Sequence, residues 1–212
     1  MTPFVLVRRV LGPVLLLTLA ACGHDHRQYV ARTLSDQKAD GDITWDPATS
    51  AFTITQAVNV GNVVFGVDNS VASPPESRAF LDFPLDGSVG GDSLPGNASI
   101  VSADVEVLVD VVSSAATVPT LLDLVPFQIP LSPSDFDSSP LTSSSTRALS
   151  FYSSDVGVNV RIDVTDLVVE AQAQGLRDLQ LRFLLDPSAT AGLVQLRDAG
   201  SATAPLLTVD YQ

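Results

Sequence analysis

The sequence predicts an all-β domain, a jelly-roll or Greek-key β-sandwich with one short helix, and three observations predict it. Residues 103–111 alternate strictly: Ala103, Val105, Val107, Val109 and Val111 point one way, and Asp104, Glu106, Leu108 and Asp110 the other. A side-chain period of two makes this a half-buried strand with its carboxylates toward water and Leu108 interrupting the polar face. From Trp45 onward, short β-branched and aromatic runs recur between clusters of Gly, Pro, Asn, Asp and Ser. Only one segment carries the punctuation of a helix.

The chain opens with Arg8 and Arg9 ahead of an apolar stretch from Val10 to Ala21, broken by Gly12 and Pro13. That stretch is shorter than the ~20 residues a membrane span needs, so residues 1–21 read as a cleaved signal peptide. It ends Leu19-Ala20-Ala21-Cys22, which resembles a bacterial lipobox. The resemblance implies that the Cys22 thiol takes a diacylglyceryl group and becomes an acylated N-terminus. Several acyl chains at ~0.8 kcal/mol per buried CH₂ make such attachment stable. Gly23, where an inner-membrane retention signal would place aspartate, favours the outer membrane in an organism that has one. No second apolar segment of spanning length follows.

Residues 22–44 are polar and aperiodic and read as a flexible tether. Within them His24-Asp25-His26 reads as exposed tail histidines, because a metal clasp needs fixed geometry and supporting hydrogen bonds. The sandwich is expected over 45–212. Its strands are expected at 51–55, 62–67, 78–85, 103–111, 121–129, 157–164, 179–184, 192–197 and 206–211. Turn chemistry separates them at 86–92, at Leu94-Pro95-Gly96-Asn97 and at Ser132-Pro133-Ser134-Asp135. The helix is expected over 166–174, with Thr165 as N-cap, Asp166 in the first turn and Gly175 as a left-handed C′ residue. The serine-rich stretch 138–145 reads as a flexible surface loop, and Asn97-Ala98-Ser99 as turn chemistry. No internal repeat is evident.

Composition narrows the function. The chain of 212 residues carries 24 acidic and 11 basic residues. Loss of residues 1–21 removes two arginines and no acid, leaving nine basic residues and a net charge of −15. That balance argues against nucleic acid as a partner. One cysteine excludes an intrachain disulfide and a thiolate zinc cluster, and both histidines lie in the tether. Ser-His and Cys-His catalysis therefore lack a reagent, and no enzymatic activity is expected. A pair of acids acting as a glycosidase is the one scheme the composition leaves open.

Four segments in order resemble a known family. They are Arg78-Ala79-Phe80-Leu81-Asp82-Phe83-Pro84-Leu85; 94–103 with its long alternating strand; Val160-Arg161-Ile162-Asp163-Val164-Thr165-Asp166-Leu167-Val168; and Ala204-Pro205-Leu206-Leu207-Thr208-Val209-Asp210-Tyr211. The layout over 51–212 resembles the DNRLRE-type domains of bacterial surface proteins, which are similar to a carbohydrate-binding-module family. The resemblance implies a jelly roll and, for some members, polysaccharide binding. Asp82 stands where many members have a basic residue and Pro84 where aspartate is common, and 118–142 does not follow the pattern. No ligand residue carries over.

Glycan recognition would need exposed aromatic faces, and Trp45 and Tyr152 are the candidate platform residues. Ser134-Asp135-Phe136-Asp137 offers two alternating carboxylates, the spacing of an oxygen-ligand site. Without a turn glycine or a downstream bidentate glutamate, Asp135 and Asp137 read as a solvated acidic loop rather than a structural Ca²⁺ site. No cofactor is expected. The sequence thus points to a lipid-anchored, non-catalytic envelope protein that acts as a surface interaction or structural component, bound to the membrane through Cys22. Its expected partners are another envelope protein or a polysaccharide. The alternative is a carbohydrate-binding module recognising an envelope or extracellular polysaccharide.

Overall fold

In a computed structural model, which describes residues 27–200 and 202–212, the alternating segment becomes the longest strand, β6 (Ile100–Ser113). Ala103, Val105, Val107 and Val109 are buried and the intervening acids are half-exposed. The facing read from the period therefore holds from Ala103 to Val109; beyond it the ladder with β11 shifts register, so that Val112 packs against the core and Val111, expected inward, does not. Burying one such valine is worth about 1.5–3 kcal/mol, so the stripe supplies a substantial share of the core.

Eleven further strands are seen among the described residues: β1 (Tyr29–Leu34), β2 (Gly41–Asp46), β3 (Ala51–Gln56), β4 (Asn62–Val67), β5 (Glu76–Pro84), β7 (Thr117–Leu124), β8 (Thr146–Tyr152), β9 (Asn159–Asp163), β10 (Asp178–Leu185), β11 (Gly192–Arg197) and β12 (Leu206–Tyr211). All pair antiparallel, in the order β1-β12-β6-β11-β4-β5-β10-β7-β8, with β9 on the other edge of β6 and the β2–β3 hairpin on β5. The sheet curls into a sandwich. Its main core gathers side chains from β6, β5 and β10 together with Phe65, Phe151, Val194, Leu207 and Val209. The all-β, sandwich-like fold expected from the sequence is thus present.

β5 is buried on both faces, which is why its sequence reads as a nearly continuous apolar run instead of alternating. Ala79, Leu81 and Phe83 enter the main core. Phe80 faces the other way, into a smaller cluster with Ile43, Val125, Phe127, Leu131 and Phe136. That cluster exists because the chain leaves the ladder after Leu124 and lies back over the outer face of the sheet. The strand expected at 121–129 ends there: Gln180 accepts the Phe127 N–H through Oε1 at 3.0 Å, and its backbone carbonyl accepts the Val125 N–H at 3.0 Å.

The helix expected at 166–174 is α2 (Thr165–Ala173), whose Leu167, Val168 and Ala171 are buried against the core. Its first turn differs from the expectation. Val164 occupies the N-cap, and Asp163 Oδ1 accepts the Thr165 N–H at 3.0 Å and its hydroxyl at 2.7 Å. Thr165 Oγ1 meanwhile accepts the Ala103 N–H at 2.9 Å, fastening the helix start to β6. Gly175, with φ +66°, is the left-handed residue after the helix, as its position suggested. A single helical turn, α1 (Ala57–Val60), precedes β4.

Residues 29–44, expected to be part of a flexible tether, belong to the folded domain. β1 pairs with β12 over six residues, Tyr29↔Tyr211 through Leu34↔Leu206, and Ser35, Ala39 and Asp40 beyond it are buried. The sequence concealed β1 because its inward residues are Ala31 and Thr33, too small and polar to mark a face. Its stability comes from covering the otherwise unpaired edge of β12. The serine-rich stretch is likewise fastened at its end: Ser145 is fully buried and its carbonyl accepts the Leu124 N–H at 2.8 Å. Residues 1–26, including Cys22, His24 and His26, lie outside the described residues.

Candidate functional site

The β2–β3 hairpin places Trp45 directly opposite Phe52 in its ladder, where the turn at Asp46 returns the chain. Asp46 shapes that turn by accepting the Ala48 N–H at 2.8 Å and the Thr49 hydroxyl at 2.9 Å, and these bonds hold its pKa below the ordinary carboxyl value. The Trp45 and Phe52 rings lie 4.7 Å apart, and Phe52 continues to Phe136 at 5.3 Å. Arg78 closes the row, its guanidinium 3.9 Å from the centre of the Phe136 ring, a cation–π distance. Arg78 also pairs with Glu76 at 2.8 Å and Asp137 at 2.9 Å. Trp45 is half-buried and Phe52 partly exposed, so the shelf is anchored in the small core and open along one side. On the opposite face of the hairpin, among the side chains that alternate with Trp45 and Phe52, runs an open cleft of about 570 Å³ lined by Thr44, Asp46, Thr53, Val71 and Ser73.

The partly exposed ring faces of the shelf can stack a flat, hydroxylated ligand, while the hydroxyls of the cleft face the other way. Of the residues singled out from sequence, Trp45 stands here. Tyr152 does not: it ends β8, with β5, β10 and β7 between that strand and β2. At ~4.8 Å per ladder spacing that is roughly 19 Å, so the two rings form no common platform. Tyr152 is exposed and its N–H donates to Asp155 at 2.8 Å. Phe52, Phe136 and Arg78 escaped the sequence reading. Phe52 could have been found from the Asp46-Pro47 turn that folds it back on Trp45. Phe136 and Arg78 arrive from distant segments.

Asp135 is not the solvated acid expected of this loop, whereas Asp137 is exposed. Asp135 is buried, and its Oδ2 accepts the Ser132 N–H at 2.7 Å and hydroxyl at 2.8 Å, while Oδ1 accepts the Gln128 N–H at 3.3 Å. Its lone pairs hold the 3₁₀ turn Pro133–Asp135 in shape. Asp137 points outward and engages Arg78. Among the described residues no group of three or more His, Cys, Asp or Glu side chains is arranged to hold a metal ion.

Behind the shelf the sheet carries buried acids. Asp42, on β2, has its pKa raised to about 7 by burial, against hydrogen bonds from the Val64 backbone and the Thr55 side chain. Asp82, on β5, is raised to about 6, first by burial and then by Asp178 and Asp36, while Gln180, donating to it at 3.0 Å, acts the other way. Arg182 and Asp123 form a fully enclosed ion pair at 2.7 Å, and Arg182 Nη1 donates to the carbonyls of Phe136 and Ser138. That guanidinium therefore ties the shelf's Phe136 to β10. No protein-family model matches the chain, and no curated protein matches it.

Proposed function

We propose that this protein is a non-catalytic β-sandwich held to the bacterial cell envelope by acylated Cys22, working there as a surface interaction or structural component. The observation that carries the reading is the sequence Leu19-Ala20-Ala21-Cys22, whose cysteine is the only one in the chain. The start of β1 at Tyr29 supports a short-tethered version of it: six residues, 23–28, separate Cys22 from the first strand. Fully extended, they reach roughly 20 Å, so the domain would sit close to the bilayer and present its far end to partners. Mass spectrometry of the mature N-terminus tests the anchor. Acylated Cys22 is expected in the native chain, and Cys22→Ser should release the protein from membranes; an unmodified Cys22 thiol in the mature native protein would sink the reading.

Glycan binding is the second reading, favoured by the partly exposed Trp45–Phe52 shelf, whose ring faces can stack on a sugar. It places the ligand at Trp45 and not at Tyr152. Titration of neutral oligosaccharides, followed by Trp45 fluorescence, tests it: saturable binding is expected to disappear in Trp45→Ala and to persist in Tyr152→Ala. The net charge makes neutral glycans the fitting class, since an acidic polysaccharide would be repelled.

A further inference from the structure

Asp40 and Asp198 are both completely buried, and their carboxyl groups meet. Asp40 closes the connection between β1 and β2; Asp198 follows β11. Each has one oxygen with a conventional donor. Asp40 Oδ1 accepts the Asp82 N–H at 2.6 Å, and Asp198 Oδ1 accepts the Ser35 hydroxyl at 3.4 Å. The other oxygens, Asp40 Oδ2 and Asp198 Oδ2, are buried with no donor. Backbone bonds converge around them: Asp40 accepts the Ala57 N–H at 3.0 Å and donates to Asp36 at 2.9 Å, and the Asp198 N–H donates to Gly61 at 2.8 Å. The Gln37 side chain donates to the Asp198 carbonyl.

Two carboxylates in contact, out of water, cannot both be ionised: the repulsion and the lost hydration add. One retained proton resolves the conflict. It gives one orphan oxygen a hydroxyl to donate and the other a donor to accept, in a charge-assisted bond. We propose that Asp40 and Asp198 share one proton and so form a latch that fastens the residue 35–40 connection, next to the N-terminal strand, to the chain after β11. Loss of the proton opens the latch.

The surroundings fit. The titratable groups facing the pair are Asp36 from the same connection and Asp82 from β5, with Asp178 of β10 behind Asp82; Ser35 and the Asp82 amide are the neutral partners. Burial raises both members of the pair, the charge of Asp198 adds to the rise of Asp40 and that of Asp36 to the rise of Asp198: Asp198 rises to about 6 and Asp40 well above the ordinary carboxyl range. The two titrate as a unit. The folded pair keeps a proton that ordinary carboxyls at ~3.9 release, so the latch is strongest in acid. It weakens as pH climbs through the values of the pair, the reverse of an acid whose folded pKa is lowered.

Hydrogen–deuterium exchange of the full mature chain between pH 5 and 8.5, corrected for intrinsic rates, tests this. Opening at residues 35–41, 57 and 198 is expected to rise by up to about tenfold per pH unit once the shared proton is lost. Asp198→Asn keeps the shape and replaces the shared proton by a permanent N–H donor, so its opening should be flat with pH. Asp40→Asn serves the same purpose if that variant misfolds, while Asp82→Asn should retain the slope. Flat protection in the native chain, or an unchanged slope in the Asn variants, would overturn the latch. So would a slope that 1 mM Ca²⁺ removes and chelator restores, because a cation would then occupy the place of the proton.

Discussion

Removing the Asp123 carboxylate should destabilise the domain more than removing the whole ion pair. Arg182 and Asp123 face each other in the β10–β7 ladder, bonded at 2.7 Å, with 5% of each side chain exposed. At an effective dielectric of ~20, charges about 4 Å apart attract by about 4 kcal/mol, and most of that offsets the cost of taking both from water. Asp123→Ala leaves a buried guanidinium whose Nε already lacks a partner, and takes the acceptor from the Thr146 hydroxyl at 2.6 Å. The expected loss is about 3–5 kcal/mol. In Asp123→Leu with Arg182→Met no charge is stranded. What is lost is the Thr146 hydroxyl's acceptor and the bonds to the Phe136 and Ser138 carbonyls, of which the former keeps Arg78 as a donor. That double variant should lose only about 1–2 kcal/mol. Urea unfolding read by far-ultraviolet circular dichroism gives the stabilities, and fluorescence of the single tryptophan, Trp45, reports the shelf separately. A double variant less stable than Asp123→Ala, or a single variant within 1 kcal/mol of native, would refute the reasoning.

Three other outcomes are expected. Val107→Asp puts an unpaired charge at a fully buried site and should cost several kcal/mol, comparable with the whole stability of a small domain, whereas Glu106→Ala on the outer face should shift it by about half a kcal/mol; equal denaturation midpoints would mean the strand faces the other way. Asp42, raised to about 7 by burial, contributes stability that is complete below the unfolded value and declines as pH rises through about 7, so thermal melts should worsen from pH 4 to 8 and Asp42→Asn should flatten that trend by up to about 1.4 kcal/mol per pH unit. Asp135→Ala should cost about 1–3 kcal/mol through the Ser132 and Gln128 amides, equally with Ca²⁺ or chelator; a calcium-specific rise in melting temperature abolished by Asp135→Asn would return the loop to metal chemistry.

Much of the fold was legible because its information is local. The period-two pattern of β6, the runs that became β4, β11 and β12, and the Gly175 stop of α2 each depend on neighbours within a few residues. The candidate site was legible only in part. Trp45 could be singled out as a large aromatic beside a turn, but its setting of Phe136 and Arg78 is drawn from other strands and loops.

By itself the sequence determined the all-β class, the buried face of the central strand, the place of the helix, and the lone cysteine behind the anchoring proposal. The tertiary structure alone decided the rest. β1 is a strand only because β12 offers an edge, and residues 125–131 cover the sheet only because β5 needs both faces buried. Asp135 is a structural acid because three donors of its own loop converge on it. Asp40 and Asp198 touch although almost the whole domain lies between them in sequence. Side-chain period and turn chemistry act over a few residues, whereas edge pairing, burial and the ionisation of an acid depend on what the folded chain brings alongside.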